Sequence, residues 1–159
     1  MGKHYADIPA TINVIGSIFT NPNLLDEEDK YFFHESDFIN EFHKILFGSI
    51  HNLHHLGAGE ISIATIEDYL AERPSKLATY KKNHGAEYLT RISSESSLAS
   101  FDYYYGRLKK MTLLREYDAI GMDLSWLYDV DNILDIKKKQ AQEDWLDNTS
   151  LEEIADIID

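Results

Sequence analysis

The stretch that decides the fold is residues 38–56, which read FINEFHKILFGSIHNLHHL. Its apolar residues recur at steps of three and four, a spacing that predicts one amphipathic helix. Gly57 should end this helix, because glycine adopts the left-handed backbone without a Cβ penalty. Ser62 or Thr65 can then cap a second, shorter helix. The predicted core stripe of the first helix comprises Phe38, Phe42, Ile45, Leu46, Ile50, Leu53 and Leu56.

The helical period continues on both sides of this stretch. Upstream, a first helix is predicted from a stripe of Ile8, Ile12, Ile15 and Phe19, with the small residue Gly16 allowing another helix to approach closely. Downstream, residues 75–93 predict two short helices with a break near residues 83–85. No strand-like alternation stands out. The sequence therefore predicts an all-α fold.

Residues 98–128 contain no proline and predict one long helix of about eight turns. Two apolar stripes run along it, whereas the predicted return helix, residues 133–146, has one weak stripe (Leu134, Ala141 and Trp145). A hairpin of this kind cannot cover both stripes by itself, so we expect another chain to cover the remainder. The candidate interface residues are Tyr105, Leu108, Leu113, Tyr117, Ile120 and Leu124.

The predicted helices divide the chain into three parts. Residues 1–97 form a helical globular subdomain, residues 98–147 a helical hairpin for oligomerisation, and residues 148–159 the start of a further helix. Ser150 and Glu153 are spaced as a capping box for that last helix. Because a helix of about two turns is marginal alone, we expect the natural protein to continue beyond residue 159.

The composition of the chain excludes several classes of function. The 159 residues carry 28 acidic and 15 basic side chains, a formal net charge of −13. Phosphate binding depends on Lys and Arg, so direct nucleic-acid binding is not expected, and a protein-binding module is favoured. The chain has no cysteine, and no apolar run approaches the ~20 residues that span a bilayer. We therefore expect a cytoplasmic protein that does not insert into membranes.

No recognised catalytic motif is present. The chain lacks a G-x-x-x-x-G-K-[ST] phosphate loop, so no cofactor site and no enzymatic activity are expected within residues 1–159. His51, His54 and His55, with His43 two turns earlier, are the only suggestive cluster. His51 and His55 lie four residues apart, as zinc ligands can on a helix. Surface histidines are the favoured interpretation, and a small metal-dependent hydrolase is an alternative.

Six short motifs occur in an order that resembles the N-terminal domain of DnaB-type replicative DNA helicases. They are VIGSIF (14–19), SDF (36–38), HKILFGSIHNLHHLG (43–57), TIEDYL (65–70), HGAEYL (84–89) and YYGRLKKMTLLR (104–115). Ala86 stands where the family has the second glycine of a G-G pair, and the Asn that usually precedes the hairpin tyrosine is missing. These departures suggest a divergent, phage-encoded member.

The resemblance implies a helical globular domain and a hairpin that pairs with another hairpin. Dimers would then assemble as a trimer of dimers into the collar of a hexameric ring. It also implies docking of primase or a helicase loader, and a linker helix leading to an ATP- and Mg²⁺-binding motor outside residues 1–159. The helicase-binding domain of a primase, which has a similar helical fold, is the other alternative.

Overall fold

The computed structural model describes residues 5–131 and 135–159. Within these ranges the chain forms eight α-helices and no strand, which confirms the predicted all-α fold. None of the helices in the described ranges is both long and apolar enough to cross a bilayer. The helices are α1 (Ile8–Thr20), α2 (Glu41–His55), α3 (Ile63–Ala71), α4 (Pro74–Lys82), α5 (Gly85–Glu95), α6 (Phe101–Ala119), α7 (Ile136–Asn148) and α8 (Leu151–Ile158).

The chain divides into two compact units. Ile8–Tyr105 is here called the N-terminal unit, and Met1–Asp7 together with Gly106–Asp159 is called the C-terminal unit. The division falls inside α6, and neither limit coincides with the predicted limits at residues 97 and 147. The functional division into a globular part, an oligomerisation hairpin and a linker helix stays a prediction.

Helix α2 is the central element of the N-terminal unit, as residues 38–56 predicted. Its buried side chains include Phe42, Ile45, Leu46 and Ile50, whereas Leu56, past the helix end, is 76% exposed. At the C-terminus the Gly57 N–H donates to the His54 carbonyl (3.0 Å) and the Ala58 N–H to the Leu53 carbonyl (3.0 Å). This pair of hydrogen bonds is a Schellman motif, and Gly57 ends the helix at φ 89°, as predicted.

Helices α1 and α5 approach each other closely at Gly16. A Cβ placed on Gly16 would lie 2.7 Å from the Ile92 carbonyl oxygen, so no larger residue fits without a shift. The predicted role of this small residue is confirmed. The predicted stripe of α1 is confirmed only in part: Ile15 is fully buried, but Ile8 is 56% exposed, and Val14 and Ile18, which the stripe left out, are fully buried.

Helices α3, α4 and α5 follow the predicted breaks. Ser62 caps α3, its side chain accepting from the Thr65 N–H (3.2 Å). The turn between α4 and α5 places His84 in the left-handed region at φ 53° and seats Gly85 against the Tyr80 ring. The break predicted near residues 83–85 is confirmed.

The segment before α2 differs from its prediction. The sequence of residues 24–33, LLDEEDKYFF, predicts a short helix with Tyr31, Phe32 and Phe33 turned inward. Only a 3₁₀ turn, Pro22–Asp26, forms there, and Phe32 is 66% exposed. Consecutive aromatic residues on an extended segment point to alternate sides, so Tyr31 is buried and Phe32 is not.

Helix α6 ends at Ala119, which corrects the predicted helix over residues 98–128. The Gly121 N–H donates to the Asp118 carbonyl (3.0 Å) and the Met122 N–H to the Tyr117 carbonyl (3.2 Å). Gly121 has φ 95°, so a second Schellman motif stops the helix there. Leu124 and Tyr128, which lie beyond it, belong to the core of the C-terminal unit.

The C-terminal unit has its own core. Its fully or nearly buried members are Tyr5, Met111, Leu114, Leu124, Tyr128, Leu146, Ile154 and Ile158. Helix α8 is capped by Ser150 and Glu153 as predicted, and it contributes Ile154 and Ile158 to this core. Of the predicted return-helix stripe, Trp145 packs partly on the core, Ala141 is exposed, and Leu134 lies outside the described residues.

Candidate functional site

The predicted interface residues fall into three groups. Tyr105, in the N-terminal unit, packs its ring against Tyr31 and Phe33, with centroids 5.0 and 5.4 Å apart. Leu108 and Leu124 are 3% and 1% exposed. Buried side chains of this kind stabilise the chain's own fold and offer no surface to another molecule.

The other three members lie around the end of α6. Leu113 and Tyr117 are partly buried against the core of the C-terminal unit, and the Tyr117 hydroxyl donates to Asp159 (3.2 Å). Ile120 is 75% exposed. The second stripe is therefore covered largely within its own unit. Ile120 is the member that remains available to a partner, and self-association itself stays a prediction.

The C-terminal unit presents further apolar side chains close to Ile120 in sequence. Met122 is 37% exposed and Trp126 66%, and Ile136 at the start of α7 is 82% exposed. Sequence reasoning missed this set because it continued α6 through residue 128. Gly121 was the signal that could have identified it, since glycine after a helix commonly marks the C′ position. We use the name apolar end of the C-terminal unit for Ile120, Met122, Trp126 and Ile136, four exposed residues that follow the end of α6 in sequence.

Arg107 holds three segments of the C-terminal unit together. Its Nε donates to Asp7 (2.8 Å), its Nη2 to Glu143 (2.6 Å) and its Nη1 to Asp147 (2.9 Å). The guanidinium side chain is only 11% exposed. Burial by itself would lower the pKa of Arg107, but the hydrogen bonds to Glu143 and Asp7 raise it overall. Sequence reasoning did not single out this residue, because its partners lie 36 to 100 positions away.

Two neighbouring groups complete that arrangement. The Tyr128 hydroxyl donates to the second oxygen of Glu143 (2.5 Å), and Arg115 donates to the Tyr5 carbonyl (2.5 Å). Arg115 thus joins α6 to the chain's own N-terminal segment through a backbone carbonyl. The network orders the N-terminal segment against α6 and α7, and its chemistry is structural.

The histidines of α2 have different neighbours and do not converge on one point. His54 Nε2 lies 2.9 Å from an Asp26 carboxylate oxygen, whereas His43 Nε2 lies 2.7 Å from the Tyr88 hydroxyl. The His51 and His55 rings are parallel, with centroids 6.4 Å apart. In residues 5–131 and 135–159, no group of three or more His, Cys, Asp or Glu side chains is placed to hold a metal ion.

His43 should make the stability of the chain depend on pH. Burial lowers its pKa, so the folded chain keeps the ring neutral at a pH where the unfolded chain binds a proton. The free energy of unfolding should therefore fall as the pH falls through the ordinary histidine pKa of about 6.5. Urea unfolding between pH 7.5 and pH 5 should show a smaller loss for His43→Gln than for the unchanged chain.

The exposed His55, on the same helix, provides the control for this measurement. His55→Gln should leave the pH dependence of unfolding as it is. An equal loss in the His43→Gln and unchanged chains would contradict the role assigned to the buried ring.

The sequence comparison decides the family. Residues 3–110 match the DnaB-like helicase N terminal domain. The chain belongs to this family. A DnaB-like N-terminal domain is the non-catalytic part of such helicases, which places the protein in the context of DNA replication. The resemblance read from the six motifs is confirmed.

A relative extends the similarity beyond the matched domain. The chain is 36% identical over 148 residues to the SPbeta prophage-derived uncharacterized protein YorI of Bacillus subtilis (strain 168). The alignment covers 93% of this chain but 29% of that relative, so the DnaB-like chain spans less than a third of the relative's length. No solved structure matched.

Proposed function

We propose that this chain is the N-terminal collar domain of a hexameric replicative DNA helicase encoded by a phage. Membership of the DnaB-like N-terminal family over residues 3–110 carries the proposal. The prophage origin in the name of the YorI relative supports the phage source. The collar mediates self-association and docks primase or a helicase loader, and it has no catalytic activity of its own.

The natural protein would then be an ATP-dependent DNA helicase of the cytoplasm. Its ATP and Mg²⁺ would be held by a motor domain outside residues 1–159, and the α8 region would lead toward that motor. The greater length of the YorI relative is compatible with such a domain. DNA contact would also belong to the motor, because the collar carries a net charge of −13.

Self-association is proposed to involve the apolar end of the C-terminal unit. Exposed apolar residues concentrated in one part of a chain are typical of contact surfaces between proteins. A two-fold contact would place the apolar ends of two chains against each other, the commonest arrangement in homo-oligomers. Of the six residues predicted from sequence, Ile120 would contribute directly. Leu113 and Tyr117, which pack against the core of the C-terminal unit, would support it, and Leu124 would act through that core. Leu108 is buried and would contribute no surface.

Ile120→Asp should weaken self-association by at least about tenfold, because a charge in an apolar contact costs more than the ~1.4 kcal/mol that a factor of ten represents. Light scattering at tens of micromolar should show dimers for the unchanged chain and monomers for the variant. Circular dichroism should show unchanged helix content, since Ile120 is 75% exposed and buries little of its surface in the fold.

Leu56→Asp is the matched control, because Leu56 is 76% exposed in the N-terminal unit. It should leave the dimer intact. An unchanged chain that is monomeric at tens of micromolar, or equal weakening by the two substitutions, would count against a contact at the apolar end.

A further inference from the structure

A groove in the N-terminal unit combines exposed aromatic surface with carboxylates. It is lined by Leu25, Glu28, Asp29, Tyr31, Phe32, Phe33 and His51 and encloses about 500 Å³. All of these residues lie within Ile8–Tyr105, far in sequence from the apolar end. Phe32 is 66% exposed in this groove, on a chain with a net charge of −13.

The exposure of Phe32 is imposed by its neighbours. Tyr31 packs edge-on against Phe101, with ring centroids 4.8 Å apart, and Phe33 packs on Phe47 at 5.6 Å. Tyr105 also holds the main chain of Phe32, since its hydroxyl accepts from the Phe32 N–H (2.8 Å) and donates to the Phe32 carbonyl (3.1 Å). Anchors on both sides and on the backbone fix the 66% exposed ring at the rim of the groove.

The two carboxylates that line this groove are not neutralised by Lys30, the basic residue next to them in sequence. Lys30 is directed toward Asp102, with Nζ 3.5 Å from its carboxylate, and His54 contacts Asp26 at 2.9 Å. Glu28 and Asp29 are exposed and have no ion pair with any residue in the described part of the chain. The groove therefore offers an aromatic face beside two negative charges.

We propose that this groove binds a segment of a partner protein that presents arginine beside an apolar residue. A guanidinium stacks on an aromatic face and pairs with carboxylates, so both features of the groove select it. Charge complementarity excludes a second acidic copy as the preferred occupant, because each chain carries −13. The proposal deepens the docking role of the collar and rests on the proposed function.

The test is a chemical-shift titration of the ¹⁵N-labelled chain with a blocked hexapeptide, Gly-Leu-Arg-Ser-Arg-Gly. Shifts should concentrate at the amides of residues 25–33 and at His51, with a dissociation constant of about 0.1–1 mM, typical of a short, flexible ligand. The same peptide with citrulline, the neutral analogue of arginine, should bind at least about fivefold more weakly. Added salt should weaken the binding of the arginine peptide but not that of the citrulline peptide, because only the arginine peptide makes an ionic contact.

Matched variants separate the groove from the general charge of the surface. Phe32→Ser and the pair Glu28→Gln/Asp29→Asn should each weaken peptide binding by at least about fivefold. Leu56→Ser, at another exposed apolar position, and Asp68→Asn/Glu72→Gln, which removes two negative charges at and just after α3, should leave binding unchanged. All four sets alter exposed side chains, and circular dichroism should show unchanged helix content.

Several outcomes would overturn the proposal. These are equal binding of the citrulline peptide, equal effects of the test and control variants, or shifts located outside the groove. Concentration-dependent shifts of the groove amides without peptide would identify a second copy as the occupant, and displacement by a single-stranded oligonucleotide would identify nucleic acid. Light scattering on the same samples reports self-association separately, so a groove that fails to bind arginine is distinguishable from a collar that fails to assemble.

Discussion

Replacing Arg107 with Met should lower the free energy of unfolding by about 3 kcal/mol, a large share of the stability of a small domain. The change removes the cation and leaves the carboxylates of Asp7, Glu143 and Asp147 together without compensation. Their side chains are 10%, 26% and 32% exposed, so water screens their repulsion only in part. Urea unfolding followed by circular dichroism measures the loss.

Two further substitutions make this result interpretable. Arg107→Lys keeps the charge but not the planar fork that serves three carboxylates, so we expect an intermediate loss of about 1–2 kcal/mol. Arg91→Met, at an exposed position on α5, should change stability by no more than about 0.5 kcal/mol. If Arg107→Met is as stable as the unchanged chain, the desolvation cost of the network cancels its attraction.

The second large effect is expected at Gly16. In an ordinary helix, Gly→Ala stabilises by about 1 kcal/mol through backbone propensity. Here the added Cβ would lie 2.0 Å from the Ser96 Oγ and 2.7 Å from the Ile92 carbonyl oxygen. Ser96 can rotate away, but the carbonyl can move only with the α5 backbone. Gly16→Ala should therefore destabilise by about 1–2 kcal/mol, and Gly16→Val by about 3 kcal/mol.

The chain provides matched controls for Gly16. Gly48 in α2 and Gly106 in α6 have no atom within 4 Å of an added Cβ. Gly48→Ala and Gly106→Ala should each raise the free energy of unfolding by about 0.5–1 kcal/mol. Opposite signs at Gly16 and at these two positions are the expected result of thermal or urea unfolding. Stabilisation by Gly16→Ala would show that α1 and α5 can separate at little cost.

Much of the fold was predicted from rules that involve only residues close together in sequence. The α2 stripe, the stop at Gly57, the Ser62 and Ser150 caps and the break before Gly85 all depend on residues within a few positions of one another. Such signals are readable in sequence because helix ends are satisfied by neighbouring groups. The family was readable for a related reason, since six local motifs in order are specific together.

The candidate site was predicted less completely than the fold. Ile120 is 75% exposed, whereas Leu108 and Leu124, which were assigned to the same interface, are buried in the chain itself. The interface stays a prediction. The prediction counted two apolar stripes on one long helix and assigned one of them to another molecule. It did not count α8 as cover for the other stripe, because the sequence predicted that helix but not its position, and Ile154 and Ile158 lie in the core of the same unit. The end of α6 was itself readable from Gly121.

The sequence by itself determined that this protein is helical, where most of its helices begin and end, and to which family it belongs, because those properties depend on short-range backbone chemistry and motif order. Only the tertiary structure decided which apolar side chains are core and which are surface. The face that α1 buries, the exposure of Phe32 between two packed rings and the contacts of Arg107 all depend on partners far along the chain. The helical spacing of apolar residues predicts that a helix has an apolar face. The packing partner determines which residues of that face lose their contact with water.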